Sequence, residues 1–146
     1  MKIGVPKEIK VHEYRVGMTP AQVRELTKLN HCVYIEHNAG EAINFTNEDY
    51  IKAGGIILDS AKEIFAISDM IIKVKEPQPE ECRMLKNGQI LFTYLHLAPD
   101  PQQVQLLLES ECIAIAYETV TDNNSRLPLL APMSEVAGRL SIQAGS

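Results

Sequence analysis

Short apolar runs alternate along this chain with segments in which apolar positions recur every three or four residues. The runs at 2–6 (KIGVP), 32–36 (CVYIE), 56–58 (IIL), 69–75 (DMIIKVK), 89–95 (QILFTYL) and 112–118 (CIAIAYE) predict strands. Helical patterns lie between them. Thr19 and Pro20 read as N-cap and first residue of a helix over 20–30, with Val23, Leu26 and Leu29 on one face and Asn30 at its end. A second helix over 46–55 starts at Thr46 and Asp49 and stops at a glycine pair, and SAKE at 60–63 is a capping box. The loop EPQPEE leads into a short helix near 80–86, Asn87-Gly88 turns the chain, and Asp100-Pro101 caps a helix over PQQVQLLLES. The tail APMSEVAGRLSIQAGS is helical, and its Ala137, Gly138, Ser141, Ala144 and Gly145 suit close packing on a neighbour.

Strands alternating with helices define an α/β fold. We expect an open, mostly parallel sheet flanked by helices, of the Rossmann-like and flavodoxin-like kind, over residues 1–130, with a terminal helix at 131–146. The chain, at 146 residues, suffices for one domain with a real core. A net charge of −5 with scattered basic residues argues against nucleic-acid binding, and no apolar run approaches the ~18 residues of a membrane span. The start, MKIGVPKEIK, lacks the apolar core of a signal peptide. Cys32, Cys82 and Cys112 are far apart with no metal-like spacing, so neither disulfides nor a metal site is indicated. Cys32 and Cys112 read as buried thiols of a reduced, cytoplasmic protein.

In such a sheet, ligands bind beyond the carboxyl ends of the strands. His96 follows the fifth strand, Lys75 closes the fourth, Glu118 closes the sixth, and Arg15 lies in the long loop after the first. Each has a plainer reading. Arg15 also suits a surface charge paired with Glu13. Lys75, like Lys73 on the same face, also suits a solvated strand end, and His96 a structural imidazole. Together they fit a small oxo-acid or amino acid: arginine and lysine neutralise its carboxylate, and histidine exchanges a proton at the neighbouring atom. His12, His31 and His37 read as loop or surface residues. No GxGxxG occurs, so hydride chemistry needs a cofactor domain from elsewhere.

MKIGVPKEIK, EYRVGMTP, NAGEAINFTNEDYIKAG, IIKVKEPQPEE, LFTYLHLA and PLLAPMSEVAGRLSIQAG, in this order, resemble the alanine dehydrogenase and pyridine nucleotide transhydrogenase family, and the resemblance spans essentially the whole chain. The match is closest to the alanine dehydrogenase branch. This resemblance implies NAD-dependent, reversible oxidative deamination of L-alanine to pyruvate and ammonium. It implies substrate binding by Arg15 and Lys75, acid/base catalysis by His96, and nucleotide contact by Ser134. It also implies a homo-oligomer, hexameric for the full enzyme. The transhydrogenase branch is the alternative, disfavoured because its pattern lacks this histidine; saccharopine dehydrogenases fit less well. A non-catalytic oxo-acid-binding or interaction module is a further alternative. Family members continue past the terminal helix into a nucleotide-binding domain, so this chain is expected to be a substrate-side portion that does not turn over alone.

Overall fold

The computed structural model describes residues 1–145. Six strands, β1 (Lys2–Val5), β2 (Cys32–Glu36), β3 (Ile56–Leu58), β4 (Met70–Ile72), β5 (Ile90–Thr93) and β6 (Ile113–Ala116), form one sheet in the order β3-β2-β1-β4-β5-β6. Every pairing is parallel, with Ile3 opposite both Val33 and Met70, and Leu91 opposite Ile71 and Ala114. The helices are α1 (Pro20–Lys28), α2 (Asn47–Lys52), α3 (Ala61–Ile67), α4 (Pro79–Cys82), α5 (Pro101–Ser110) and α6 (Ala131–Gly145).

The side-chain alternation of the strands divides the core in two. Ile3, Val5, Val33 and Ile35 pack with Val23 of α1 and Tyr50 of α2 on one face. Tyr34, Ile71 and Leu91 pack with Ile64 and Phe65 of α3 and Leu107 of α5 on the other. Burial on both faces is why the inner strands read as apolar runs rather than alternating ones. Gly4 lets β1 pass under α3, since a Cβ there would sit 2.2 Å from Ser68 Oγ.

The helix starts form as their sequences predict. Thr19 with Gln22, Thr46 with Asp49 and Ser60 with Glu63 make reciprocal capping boxes, and the Asp100 carboxylate accepts the Gln103 N–H at 3.0 Å. Asn30 follows α1 at φ 65, the left-handed conformation that ends a helix.

Strand ends differ from expectation. β4 stops at Ile72, β5 at Thr93 and β6 at Ala116, so Lys75 and His96 each lie on a short exit segment. Glu118 belongs to the 3₁₀ turn Tyr117–Thr119 rather than to the strand. α4 is shorter than the predicted 80–86 helix. Cys32 is exposed and Cys112 half-buried, contrary to the expected buried thiols, because both lie at the open amino end of the sheet; Cys82 is the buried one. No helix among the described residues is long and apolar enough to cross a membrane.

Candidate active-site cleft

Strand order reverses between β1 and β4: the chain leaves β1 toward β2 on one side and leaves β4 toward β5 on the other. Their exit loops therefore separate and leave a crevice at the carboxyl edge. Here it opens into a cleft of about 460 Å³ whose lining includes Arg15, Lys75, Tyr94, His96, Glu118 and Met133. That volume suits a small ligand. Arg15, Lys75, His96 and Glu118, from four separate segments, thus meet, whereas Ser134 does not join them. A hollow of about 280 Å³ between α5 and β6 is apolar apart from Glu111 and has no convergent cations.

Arg15 is placed by its neighbours. Val16 and Met18 are buried, and between them Gly17 lies so close to β4 that a Cβ would meet the Ile72 carbonyl oxygen at 2.6 Å. This presses the loop flat against the sheet and leaves Arg15 at the cleft rim. Glu13 then holds the guanidinium side-on, accepting from Nε and Nη2 at 2.8 Å each. The hydrogen bond to Arg15 holds the Glu13 carboxyl below its ordinary range, against the opposing effect of burial. The pairing with Glu13, one of the plainer readings, is therefore real, yet Nη1 remains directed toward Met133 Sδ, 4.0 Å away.

Lys73 departs most from expectation. Far from being a solvated strand end, it is 1% exposed, and its ammonium lies 2.6 Å from Glu8 and 2.9 Å from Glu81. Burial opposes the charge, but the two carboxylates outweigh it and hold the lysine above its ordinary value. Two anions facing one cation leave a surplus. It falls on Glu81, whose carboxyl burial pushes up despite Lys73 and the Gln78 N–H. Lys75, two residues on, is half-buried in the cleft wall. Lys10 pairs with Glu76 and Arg15 with Glu13, whereas no carboxylate among the described residues reaches ion-pairing distance of the Lys75 ammonium. Lys75 is thus the uncompensated cation of the cleft.

His96 is exposed and has φ 45, a left-handed conformation that few side-chain-bearing residues adopt. Its N–H donates to Glu118 at 2.7 Å, and buried Leu95 before it does the same at 3.0 Å. Tyr94 packs edge-on against Tyr117 and donates its hydroxyl to the Leu129 carbonyl at 2.6 Å, tying the approach to α6 onto the cleft wall.

Ser134 is not brought into the cleft; it sits exposed on the first turn of α6. Sequence reasoning also missed the structural parts played by Glu8, Glu81, Tyr94 and Met133. One signal was present: a lysine inside the apolar run IIKV requires a buried counter-charge or a surface face.

The residues present do not make a dinucleotide site by themselves. At this switch point the loop after β1 is charged rather than glycine-rich, and its Glu8 carboxylate already accepts the Val74 and Lys75 N–H groups. Those two N–H groups are therefore not free for a phosphate. What the cleft offers instead is cationic side chains, an imidazole and no buried cofactor cradle.

A parallel sheet whose strand order reverses at a cation-lined crevice defines the class: a doubly wound α/β domain. Residues 4–137 match the family described as "Alanine dehydrogenase/PNT, N-terminal domain", and the chain belongs to that family. It is 56% identical to an alanine dehydrogenase of Methanococcus maripaludis and 48% identical to one of Mycobacterium tuberculosis, over all of this chain and 39% of each relative. A solved structure described as L-alanine dehydrogenase superposes with a TM-score of 0.92 at 49% identity, over 99% of this chain and 40% of that one. The transhydrogenase structure from Sinorhizobium meliloti, with a TM-score of 0.76, 22% identity and coverage of 81% of this chain and 35% of that one, shares the fold. The chain spans about 39% of the length of the curated relatives it matches.

Proposed function

We propose that this chain is the substrate-side part of an alanine dehydrogenase, which interconverts L-alanine with pyruvate and ammonium. The observation that carries the reading is the convergence of Arg15, unpaired Lys75 and His96 on one cleft at the switch point. Lys75 and the free edge of Arg15 hold the substrate carboxylate, and Lys75 polarises the adjacent keto oxygen. His96 gives a proton to that oxygen as ammonia adds to the carbonyl carbon, and water then leaves; in the deaminating direction it takes the proton back. An imidazole can serve as donor in one direction and acceptor in the other. The hydride partner is a pyridine nucleotide, NAD, held mainly by residues beyond this chain, with Ser134 as its contact here. Residues 1–130 form the substrate domain and α6 the connector. Assembly is homo-oligomeric and the setting cytoplasmic.

Titration of the chain with pyruvate, followed through the imidazole signals of His96, tests the reading. A saturable shift that is lost in Arg15→Ala supports it; no shift at millimolar pyruvate overturns a preformed substrate half-site. Sustained NADH-dependent amination of pyruvate by this chain alone would overturn the placement of the nucleotide site elsewhere.

A further inference from the structure

Lys75 and His96 ride on backbone segments gripped in the same way. Past the end of β4, Glu8 of the β1 loop accepts the N–H of Val74 and, at 3.2 Å, that of Lys75. Past the end of β5, Glu118 of the turn after β6 accepts the N–H of Leu95 at 3.0 Å and that of His96 at 2.7 Å. In each case one carboxylate takes the N–H of the functional residue and of the residue before it. These groups lie beyond the strands that would have paired them, so the carboxylates supply what the ladder no longer does.

We propose that Glu8 and Glu118 are positioning residues that set the backbone at Lys75 and His96 and thereby aim the ammonium and the imidazole into the cleft. The proposal rests on the roles given above to those two side chains. Glu8 cannot act on a ligand directly, because its side chain is 2% exposed and its second oxygen is held by Lys73 at 2.6 Å. Lys73 is held in turn by Glu81, which also receives the Gln78 N–H at 2.9 Å, so Glu8 is braced by the segment after β4 and, through Lys73, by α4. Glu118 forms no ion pair among the described residues, and its carboxylate accepts the Leu95 and His96 N–H groups. Those bonds hold His96 at φ 45, a conformation it would otherwise leave for the right-handed or extended regions.

Amide proton–nitrogen spectra and pyruvate titrations of the 146-residue chain and its Glu118→Gln and Glu8→Gln variants test this. Glutamine offers one oxygen in place of two and no charge, so the charge-assisted part of each bond is lost. Expected for Glu118→Gln are upfield shifts and faster solvent exchange of the Leu95 and His96 amides, with pyruvate binding read at His96 weakened about tenfold. The Val74 and Lys75 amides stay in place. Glu8→Gln gives the reverse pattern; if it does not fold, Glu8→Asp, which keeps the charge opposite Lys73, takes its place. Unmoved Leu95 and His96 amides in Glu118→Gln would overturn the proposal, as would equal perturbation of both segments in both variants. If the unaltered chain does not respond to pyruvate, the substrate assignment fails, while the amide pattern still decides whether the two glutamates set the backbone.

Discussion

Replacing Lys73 with methionine isolates the electrostatics of the buried cluster, because the substitution keeps most of the side-chain volume and removes the charge. In the native fold Glu8 and Glu81 approach the ammonium at 2.6 Å and 2.9 Å, which places the two carboxylates no more than about 5.5 Å apart through it. Without the cation, two like charges at that distance repel by about 3 kcal/mol at an effective dielectric of 20. The alternative is to protonate one carboxyl. From an ordinary value near 4.3 this costs 1.36 kcal/mol per pH unit, or about 3.5 kcal/mol at pH 7 and about 1 kcal/mol at pH 5. Both routes agree at neutrality and fall within the range for breaking a buried ion pair. The expected result is a loss of about 3 kcal/mol at pH 7, near 10 °C in Tm for a chain of this size, with most of the deficit gone at pH 5. The sign follows from linkage: with the cation gone, a folded-state carboxyl lies above its unfolded value, so the variant loses stability as pH rises between the two. Urea unfolding followed by circular dichroism at both pH values measures it. A loss under about 1 kcal/mol at pH 7, or one that is the same at pH 5, would refute the assignment of opposed carboxylates to this cluster.

Lys75→Ala should weaken pyruvate binding more than Arg15→Ala, because Arg15 already shares its charge with Glu13 whereas Lys75 has no such partner; calorimetric titration ranks the two. Gly17→Ala drives a Cβ into the Ile72 carbonyl, so it should cost about 1–3 kcal/mol in denaturant unfolding and displace Arg15, lowering pyruvate affinity as well. Glu81→Gln should flatten the pH dependence of stability above pH 4.5, since burial raises the Glu81 carboxyl in the fold and the native chain therefore loses stability as pH rises through that window; thermal melts across pH 4 to 8 show whether the slope falls.

Most of the architecture was legible because it rests on local rules. Apolar runs marked the strands, and Thr19, Thr46, Ser60 and Asp100 marked helix starts through side-chain bonds spanning three residues. The convergence of Arg15, Lys75 and His96 was legible because a parallel sheet assembles its strand exits in space. Lys73 was misread for the opposite reason. Its partner Glu8 stands 65 residues earlier, and the periodicity of IIKVK carries no trace of it. Ser134 was reached through motif resemblance alone, and within this chain nothing draws it toward the cleft. The cysteines were misjudged because strand membership says nothing about which end of a strand is covered.

The left-handed backbone at His96 sets stability against the proposed chemistry at a single position. Glycine occupies that region without penalty, whereas any side chain with a Cβ is disfavoured there by roughly 1–2 kcal/mol. His96→Gly should therefore leave the fold unharmed or improve it while removing the one imidazole in the cleft. A screen for thermostability alone would drift toward glycine here and return a sturdier protein whose cleft has lost its imidazole; a screen for pyruvate binding read at that imidazole would, on the proposed role, keep the histidine and the strain together.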